Sequence, residues 1–244
     1  MKFLTSIFIS FVCIVSFAQA QSADDIIQKN IAAKGGADKM KAIQSVVATG
    51  KISQSGLDIP FTMTEKKPNK LLLQVTFQGK TQIQAYDGNT GWITNPFSGR
   101  DIAEKMDADA IKEVKFQADI DGPLVDYASK GYKVEYVGEE DMDGSPTYHL
   151  KLTTQDADIY DFYLDKDSYL EVKEKSHIKE QDGTTQDAET NYSNYKETNG
   201  VLFPYTIENA SEYNGQKVSA FLNIDSVKIN DPVADSVFAM PSNK

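Results

Sequence analysis

The side chains best suited to acid–base or metal chemistry are two histidines set among many carboxylates. His149 lies in an alternating segment, Tyr148 to Thr153, and His177 ends the charged stretch Lys173 to His177. Neither has a second histidine at the H-x-x-x-H spacing that brings two ligands to one helix face, and a single cysteine cannot supply a thiolate pair. The sequence therefore predicts no metal site and no cofactor.

The acidic residues show no catalytic pattern. The run Gly138 to Gly144 lacks the D-x-D-x-D-G order and the distal glutamate of a calcium loop, so we interpret it as a solvated hairpin end. Paired carboxylates could hydrolyse glycosides, but no spacing singles out a pair. The sequence also contains no G-x-S-x-G, phosphate-binding or dinucleotide-binding motif. A non-enzymatic protein is favoured, and an enzyme is the third hypothesis.

The first 20 residues have the composition of a secretory signal peptide. Lys2 gives a positive start, Phe3 to Phe17 is apolar, and Ala18-Gln19-Ala20 is an A-x-A cleavage site. The only cysteine, Cys13, lies inside the apolar segment, so no lipid-anchored form is predicted. We expect a soluble periplasmic protein, residues 21–244, which has no disulfide because cleavage removes that cysteine.

The mature chain is acidic. Lys2 is the only charged residue of the signal peptide, so its removal takes the formal net charge from −11 to −12. Such a surface disfavours nucleic acid and anionic membranes and suits a basic partner. No apolar run after residue 20 approaches the roughly 20 residues of a membrane helix. We expect one domain, a monomer, and no nucleic-acid partner.

One stretch, Ile83 to Gly131, interrupts a series of hairpins with helical signals. Asp87 to Gly91 predicts a tight hairpin before Trp92, and Asn95 to Gly99 predicts a loop with Phe97 at its tip. We expect the residues from about 101 to 131 to form a helical insert laid against the sheet.

Two helices are predicted in the insert, one from the N-cap Asp107 to about Asp119 and one from Pro123 to Gly131. The apolar residues of the first helix fall on two arcs, one of Met106, Ala110, Ile111, Val114 and Ala118 and the other of Ile102, Phe116 and Ile120. A split apolar surface requires contacts on two sides. The helix is therefore either partly sunk into the protein or a lid over a cavity.

The rest of the chain reads as one helix followed by strands. Ser22 to Asp25 fits a capping box for a helix that ends at Gly35-Gly36. Alternating segments separated by turn residues then predict about 11 to 12 antiparallel strands. In one of them Leu71 and Leu73 lie on one face, and Leu72 and Gln74 lie on the other. So large a sheet curls. We predict a mainly β fold with some α, an unclosed half barrel with helices as a lid and a residual apolar hollow.

The order of these features resembles the LolA-like family of periplasmic carriers that sort outer-membrane lipoproteins, especially its Bacteroidetes-type members. The resemblance rests on the exported helix Ser22 to Gly36, the Tyr86 to Trp92 hairpin, the insert ending Gly122 to Tyr127, Phe203-Pro204, and the closing Val237 to Pro241. It covers nearly the whole mature chain, and its motifs mark the fold more than the ligand.

The resemblance implies a carrier whose cavity holds acyl chains of lipoproteins or similar lipids and shuttles them toward the outer membrane, with an inner-membrane donor and an outer-membrane acceptor as possible partners. The lipid-binding candidates are Phe61, Met63, Leu71 and Leu73 on the wall, Trp92 and Phe97 at the mouth, and Met106, Ile111 and Val114 on the lid. The alternative hypothesis is a sensor or regulatory module on the same fold that recognises lipoproteins or a protein partner.

One expected residue is missing. In the well-studied carriers an arginine on an early strand bonds to the lid helices, but the sole arginine here is Arg100, which the sequence places in the loop before the lid. Lys51 or Lys66 could take its place, although lysine lacks the guanidinium fork.

Overall fold

The N-terminal helices begin at the predicted capping box. A computed structural model describes residues 22–142, 144–213 and 216–241, so the predicted signal peptide lies outside the described residues. Helix α1 spans Ala23–Ala33 and α2 spans Ala37–Ala42. The Ser22 hydroxyl accepts from the Asp25 N–H at 3.1 Å, and the Ser22 N–H donates to the Asp25 carboxylate at 3.3 Å. These bonds satisfy donors that an uncapped helix leaves open.

The sheet contains thirteen antiparallel strands, close to the predicted number, in the order β6-β5-β4-β3-β2-β1-β13-β12-β11-β10-β9-β8-β7. The strands are β1 Ser45–Gln54, β2 Leu57–Lys66, β3 Lys70–Phe77, β4 Lys80–Tyr86, β5 Gly91–Asn95, β6 Arg100–Lys105, β7 Lys133–Met142, β8 Ser145–Thr153, β9 Ile159–Asp165, β10 Glu171–Lys179, β11 Thr185–Thr198, β12 Val201–Tyr213 and β13 Gln216–Ile229. Its two edges, β6 and β7, do not pair with each other, so the sheet is a curled half barrel.

The helical insert is shorter than predicted. Residues 100–105 form edge strand β6, so Arg100 is in a strand and Ile102, predicted on the helix, is a 63% exposed strand residue. The hairpin forms because Pro96–Ser98 makes a single 3-10 turn and Gly99 closes it with φ +78°. Helix α3 spans Ala108–Gln117 with the predicted N-cap, Asp107.

The predicted second helix of the insert does not form. Residues 118–131 are a succession of turns, with bonds such as Val125 N–H to the Gly122 carbonyl at 3.2 Å and Ser129 N–H to the Asp126 carbonyl at 2.9 Å. Asp126 has φ +50°, a left-handed conformation that stops a right-handed helix from propagating. Pro123 and Gly131, which we had interpreted as the ends of a helix, are therefore turn residues.

The helices cover one face of the sheet. Strand register places Met63 between Ala48 and Leu73, and Leu71 beside Tyr86, on this helix-covered face. The neighbouring residues Leu72, Ala85 and Trp92 point to the opposite, outer face because side chains alternate along a strand.

The main core lies between α1 and the C-terminal strands. Ile26, Ile27 and Ile31 of α1 pack with buried residues of β8 and β9, among them Leu150 and Phe162. The buried Asn30 amide fixes the helix by donating to the Tyr169 carbonyl at 2.8 Å. Among the described residues, no helix is both long and apolar enough to cross a membrane.

Candidate functional site

Helix α3 is bound to the N-terminal half of the sheet by apolar contacts. Val114 and Ala118, both fully buried, pack against Leu71 of β3 and Tyr86 of β4, with the partly buried Leu73, Met106 and Ile111 around them. Gly91 lies directly under Met106, and a Cβ built on this glycine would lie 2.6 Å from the Met106 sulfur. The glycine therefore allows the chain to turn from β6 onto the covered face.

The opposite side of α3 meets the C-terminal half of the sheet through polar contacts and one aromatic stack. Lys112 forms an ion pair of 3.1 Å with Asp158, whose side chain is 3% exposed, and also donates to the Lys179 carbonyl. The Phe116 ring stacks on Tyr160 with centroids 3.8 Å apart and an interplanar angle of 7°. The predicted two-sided contact of this helix is confirmed, and α3 bridges the two halves of the half barrel.

A cavity of about 330 Å³ lies between α3 and strands β10 to β13; we call it the acid-lined cavity. Buried Tyr160, Ser176, Ile178 and Ala210 form its inner part. The remaining lining residues are Gln54, Glu113, Phe116, Gln117, Glu174, Ala188, Glu189, Thr190, Asn209, Val218 and Ala220. Its lining includes three glutamates and no lysine or arginine.

Glu174 is the most perturbed carboxylate of this cavity. It is half-buried, and in the described part of the chain its one direct polar contact is the Tyr192 hydroxyl, which donates at 3.2 Å. Burial, followed by the negative charge of Glu171, raises the pKa of Glu174 to about 7, against the opposing effect of that hydrogen bond. Burial likewise raises the pKa of Tyr192 well above its usual value, so the phenol remains a donor.

A second perturbed carboxylate, Glu65, also faces the covered side, where register places it between Val46 and Leu71. Burial, and to a smaller extent the charge of Asp119, raise the pKa of Glu65 to about 7. Both glutamates therefore titrate near neutral pH on the covered face of the sheet. Sequence reasoning missed them, although each continues the apolar alternation of its strand.

A second cavity, of about 310 Å³, lies at the rim between α3 and the β8–β9 loop. Its charged lining residues are Lys112, Lys115, Lys130, Asp119, Asp156 and Asp158. Lys112 pairs with Asp158 and Lys130 pairs with Asp119, so the two signs of charge are balanced. This rim cavity differs from the acid-lined cavity, which contains no cation.

The predicted wall and lid residues lie on the helix-covered face. Leu71 and Val114 are in contact within one cluster, with Leu73, Met106 and Ile111 packed on it. Met63 packs against the main core, and Phe61 is 3% exposed on the same face, opposite Gly50 and Val75. Their role in binding lipid stays a prediction.

The two residues predicted at the mouth occupy different places. Trp92 is 4% exposed on the outer face, in a cluster with Leu72 and Phe238, and its indole N–H donates to the Phe238 carbonyl at 2.8 Å. The prediction for Trp92 is therefore wrong, because the C-terminal segment covers it. Phe97 is 47% exposed at the β5–β6 turn, with its ring centroid 6.2 Å from that of Phe77.

The histidines lie among carboxylates on the outer face. His149 contacts Glu140 at 2.6 Å and Asp161 at 2.7 Å, while His177 contacts Asp187 at 2.7 Å. Tyr163 stacks on His149, and burial raises the pKa of Tyr163 to about 12. Within residues 22–142, 144–213 and 216–241, no group of three His, Cys, Asp or Glu has a geometry that could hold a metal ion.

The lid contacts do not use the predicted lysines. Lys66 binds the C-terminal segment through the Val233 carbonyl at 2.6 Å and Asp235 at 2.7 Å, and Lys51 is exposed. Helix α3 is instead joined to the C-terminal half by its own Lys112, through the ion pair with Asp158. Sequence spacing gave no signal for this pair because its partner, Asp158, lies in a distant loop.

Three solved structures share the arrangement of strands and helices described above. They are a LolA superfamily protein from Nitrosomonas europaea (15% identity, TM-score 0.58, covering 90% of this chain and 98% of that one), a DUF1329 family protein from Desulfovibrio piger (12%, 0.58, 88% and 96%) and a putative outer membrane lipoprotein-sorting protein domain from Vibrio parahaemolyticus (13%, 0.56, 88% and 94%). The chain has a LolA-like fold. No protein-family model and no curated protein matches the sequence.

Proposed function

We propose that this protein is a non-enzymatic periplasmic carrier that holds acyl chains of lipoproteins, or of similar lipids, between α3 and the helix-covered face and shuttles them toward the outer membrane. The observation that carries the proposal is the incomplete cover of this face. Helix α3 bridges the two halves of the sheet and leaves a cavity of about 330 Å³ whose inner part includes Tyr160, Ile178 and Ala210. That volume is at the lower end of the range for ligand sites.

The energetics of acyl chains favour such a shelter. Each methylene removed from water contributes about 0.8 kcal/mol, so a chain of about 16 carbons is held in a membrane by roughly 12 kcal/mol. Free transfer through water is therefore slow. A hollow that replaces most of this apolar contact lowers the cost of leaving the membrane.

The way α3 is attached supports release as well as binding. Its contacts with the C-terminal half include the Lys112 pair, the bond from Lys112 to the Lys179 carbonyl and a hydrogen bond from the Gln181 N–H to Asp109 at 3.3 Å, in addition to the Phe116 stack. Polar contacts of this kind can be replaced by water, so they oppose opening less than a buried apolar seam does. We propose that α3 swings away from this half to admit a chain.

The proposed lipid contacts are Phe61, Met63, Leu71, Leu73, Met106, Ile111 and Val114, with Phe97 at the sheet end. Leu71 and Val114 are buried against each other on the side where α3 stays attached, so in this proposal they border the guest at the hinge side of the hollow. Trp92 is not included because it lies on the outer face. The Vibrio parahaemolyticus structure, titled as a putative lipoprotein-sorting domain, supports this function through its fold.

Binding of a fluorescent fatty acid to delipidated protein tests the proposal. Ala220→Trp places a large ring in the acid-lined cavity and should weaken binding at least about tenfold, because it fills space that the chain would occupy. Lys228→Trp, on the same strand but exposed, is the matched control and should bind like the natural protein. If the natural protein binds no acyl probe, the carrier function is wrong. A stable protein partner recovered without lipid would favour the sensor hypothesis.

A further inference from the structure

The acid-lined cavity contains carboxylates that the carrier function does not require. An aliphatic guest needs only apolar walls, and burial of a charge without a partner costs free energy. Glu174 nevertheless faces the cavity from β10, where the same-face neighbours Ser176 and Ile178 are buried. The cost of keeping Glu174 there indicates a role beyond packing.

The charge of Glu174 is not balanced by a cation of the protein. Among the described residues it forms no ion pair, and the Tyr192 hydroxyl is its one hydrogen-bond donor. Glu113, at the exposed mouth of the cavity, accepts from the Gln117 amide at 3.1 Å, its one hydrogen bond to a side chain that the structure describes. The third glutamate, Glu189, is paired with Lys173 at 3.3 Å. Two carboxylates are therefore left to meet a positive charge that enters from outside.

The rest of the cavity suits an ammonium group attached to a hydrocarbon chain. The Phe116 and Tyr160 rings line the cavity beside the glutamates, and aromatic rings attract cations in a desolvated site. The side chains of Ile178 and Ala220 offer apolar contact for the adjoining chain. Carboxylates, aromatic rings and apolar side chains thus line the same cavity.

We propose that the cargo of this protein is a lipid that carries a free primary amine as well as an acyl chain; its protonated ammonium group binds between Glu174 and Glu113 while its acyl chain occupies the hollow under α3. The inference rests on the proposed function for the acyl chain, and it adds the chemical class of the head group. The pKa of Glu174, raised to about 7 by burial, is consistent with a carboxylate that gains from a cationic neighbour.

Three probes with the same tail separate the head group from the chain. Dodecylamine, dodecanol and dodecanoate are titrated into delipidated protein by calorimetry, below their critical micelle concentrations. We expect dodecylamine to bind about ten- to a hundredfold more tightly than dodecanol, the range expected for a charge-assisted contact, and dodecanoate to bind most weakly. Equal binding of all three would overturn the head-group inference and leave the carrier function standing. Binding of none would overturn both.

The variants Glu174→Gln and Glu113→Gln locate the contact. Together they should remove most of the preference for dodecylamine over dodecanol, since glutamine keeps the shape and loses the charge. Glu135→Gln, on the exposed surface of β7, is the control and should keep the preference. If the double variant still prefers dodecylamine, the ammonium group does not bind at these two glutamates. Circular dichroism checks that each variant is folded.

Acetylated probes give the same test on the natural protein and distinguish two sources of the ammonium group. Lysophosphatidylethanolamine represents a lipid head group, and a peptide whose N-terminal cysteine has a free α-amine and a thioether-linked hexadecyl chain represents a lipidated protein; each is compared with its N-acetylated form. Loss of about tenfold or more in affinity on acetylation of either probe supports the inference and identifies the source. If acetylation weakens neither, the ammonium contact is wrong.

Discussion

Helix α3 is attached to the two halves of the sheet by different physics. Toward β3 and β4 it buries Val114 and Ala118 against Leu71 and Tyr86, a dry contact that water cannot replace. Toward β8 to β10 it relies on the Lys112 pair and a single aromatic stack beside two water-accessible cavities. In the proposed mechanism the dry contact is therefore the hinge and the polar contact is the side that opens, and four substitutions test this assignment.

The largest effect is expected at the dry contact. Val114→Asp puts an unpaired charge at a fully buried position and should lower the free energy of unfolding by about 3–5 kcal/mol, or detach α3 from the sheet. Urea denaturation measures the loss, and hydrogen exchange shows whether α3 opens alone. Lys115→Asp, exposed on the same helix, is the control and should cost less than about 1 kcal/mol. Similar losses for both variants would contradict the dry contact.

Loss of the polar contact should destabilise the protein less than loss of the dry contact, but it should act directly on the opening of α3. Lys112→Met leaves the buried Asp158 without its cation and should cost about 2–3 kcal/mol, because the remaining Lys179 N–H bond at 2.9 Å satisfies only part of the carboxylate. Hydrogen exchange should show faster opening of α3. A fluorescent acyl probe should be taken up faster than by the natural protein. Lys41→Met breaks the exposed pair with Asp126 and should leave the free energy of unfolding almost unchanged. Unchanged uptake in Lys112→Met would contradict the opening side.

Glu174 should make stability depend on pH in a known direction. Its pKa is about 7 in the folded protein and 4.5 ordinarily, so the folded state holds its proton more tightly than the unfolded state. Its contribution is therefore favourable at low pH and is lost as pH rises through 7. Glu174→Gln should stabilise the protein by about 1–2 kcal/mol at pH 8, an amount discounted for solvent screening, and by nothing near pH 4.5. Urea denaturation at several pH values measures this.

The matched control for that pH series is Glu135→Gln on exposed β7, which should change the free energy of unfolding by less than about 0.5 kcal/mol throughout. A Glu174→Gln variant that is less stable than the natural protein at pH 8 would contradict the assigned cost of this charge.

The smallest effect is expected on the outer face. Trp92→Phe removes the hydrogen bond to the Phe238 carbonyl and should cost about 1 kcal/mol. Acyl uptake should stay as in the natural protein because this side chain lies away from α3. A large loss of uptake with unchanged stability would restore Trp92 to the binding site, as the sequence had predicted.

The elements with strong local signals were predictable. The Ser22 capping box, the Asp107 N-cap and the alternation around Leu71 follow from side-chain chemistry and strand periodicity. The turns at 118–131 were mistaken for a helix because Pro123 and Gly131 fit helix ends as well as turns. Local patterns could not decide between the two.

The site was only partly predictable because its contacts join distant parts of the chain. Leu71 and Val114 were assigned to the same hollow from periodicity, and they do meet. Trp92 was misplaced because its cover, Phe238, comes from the far end of the chain. Glu174 could have been found, since it continues the alternation that ends at Ile178 on an otherwise charged strand.

Paramagnetic NMR with a spin-labelled fatty acid tests most directly whether an acyl chain enters the hollow under α3. The label should broaden signals of Tyr160, Ile178 and Ala220 on the covered face and leave those of Trp92 and Phe238 sharp. Broadening confined to the outer face, or none at saturating ligand, would contradict the central claim.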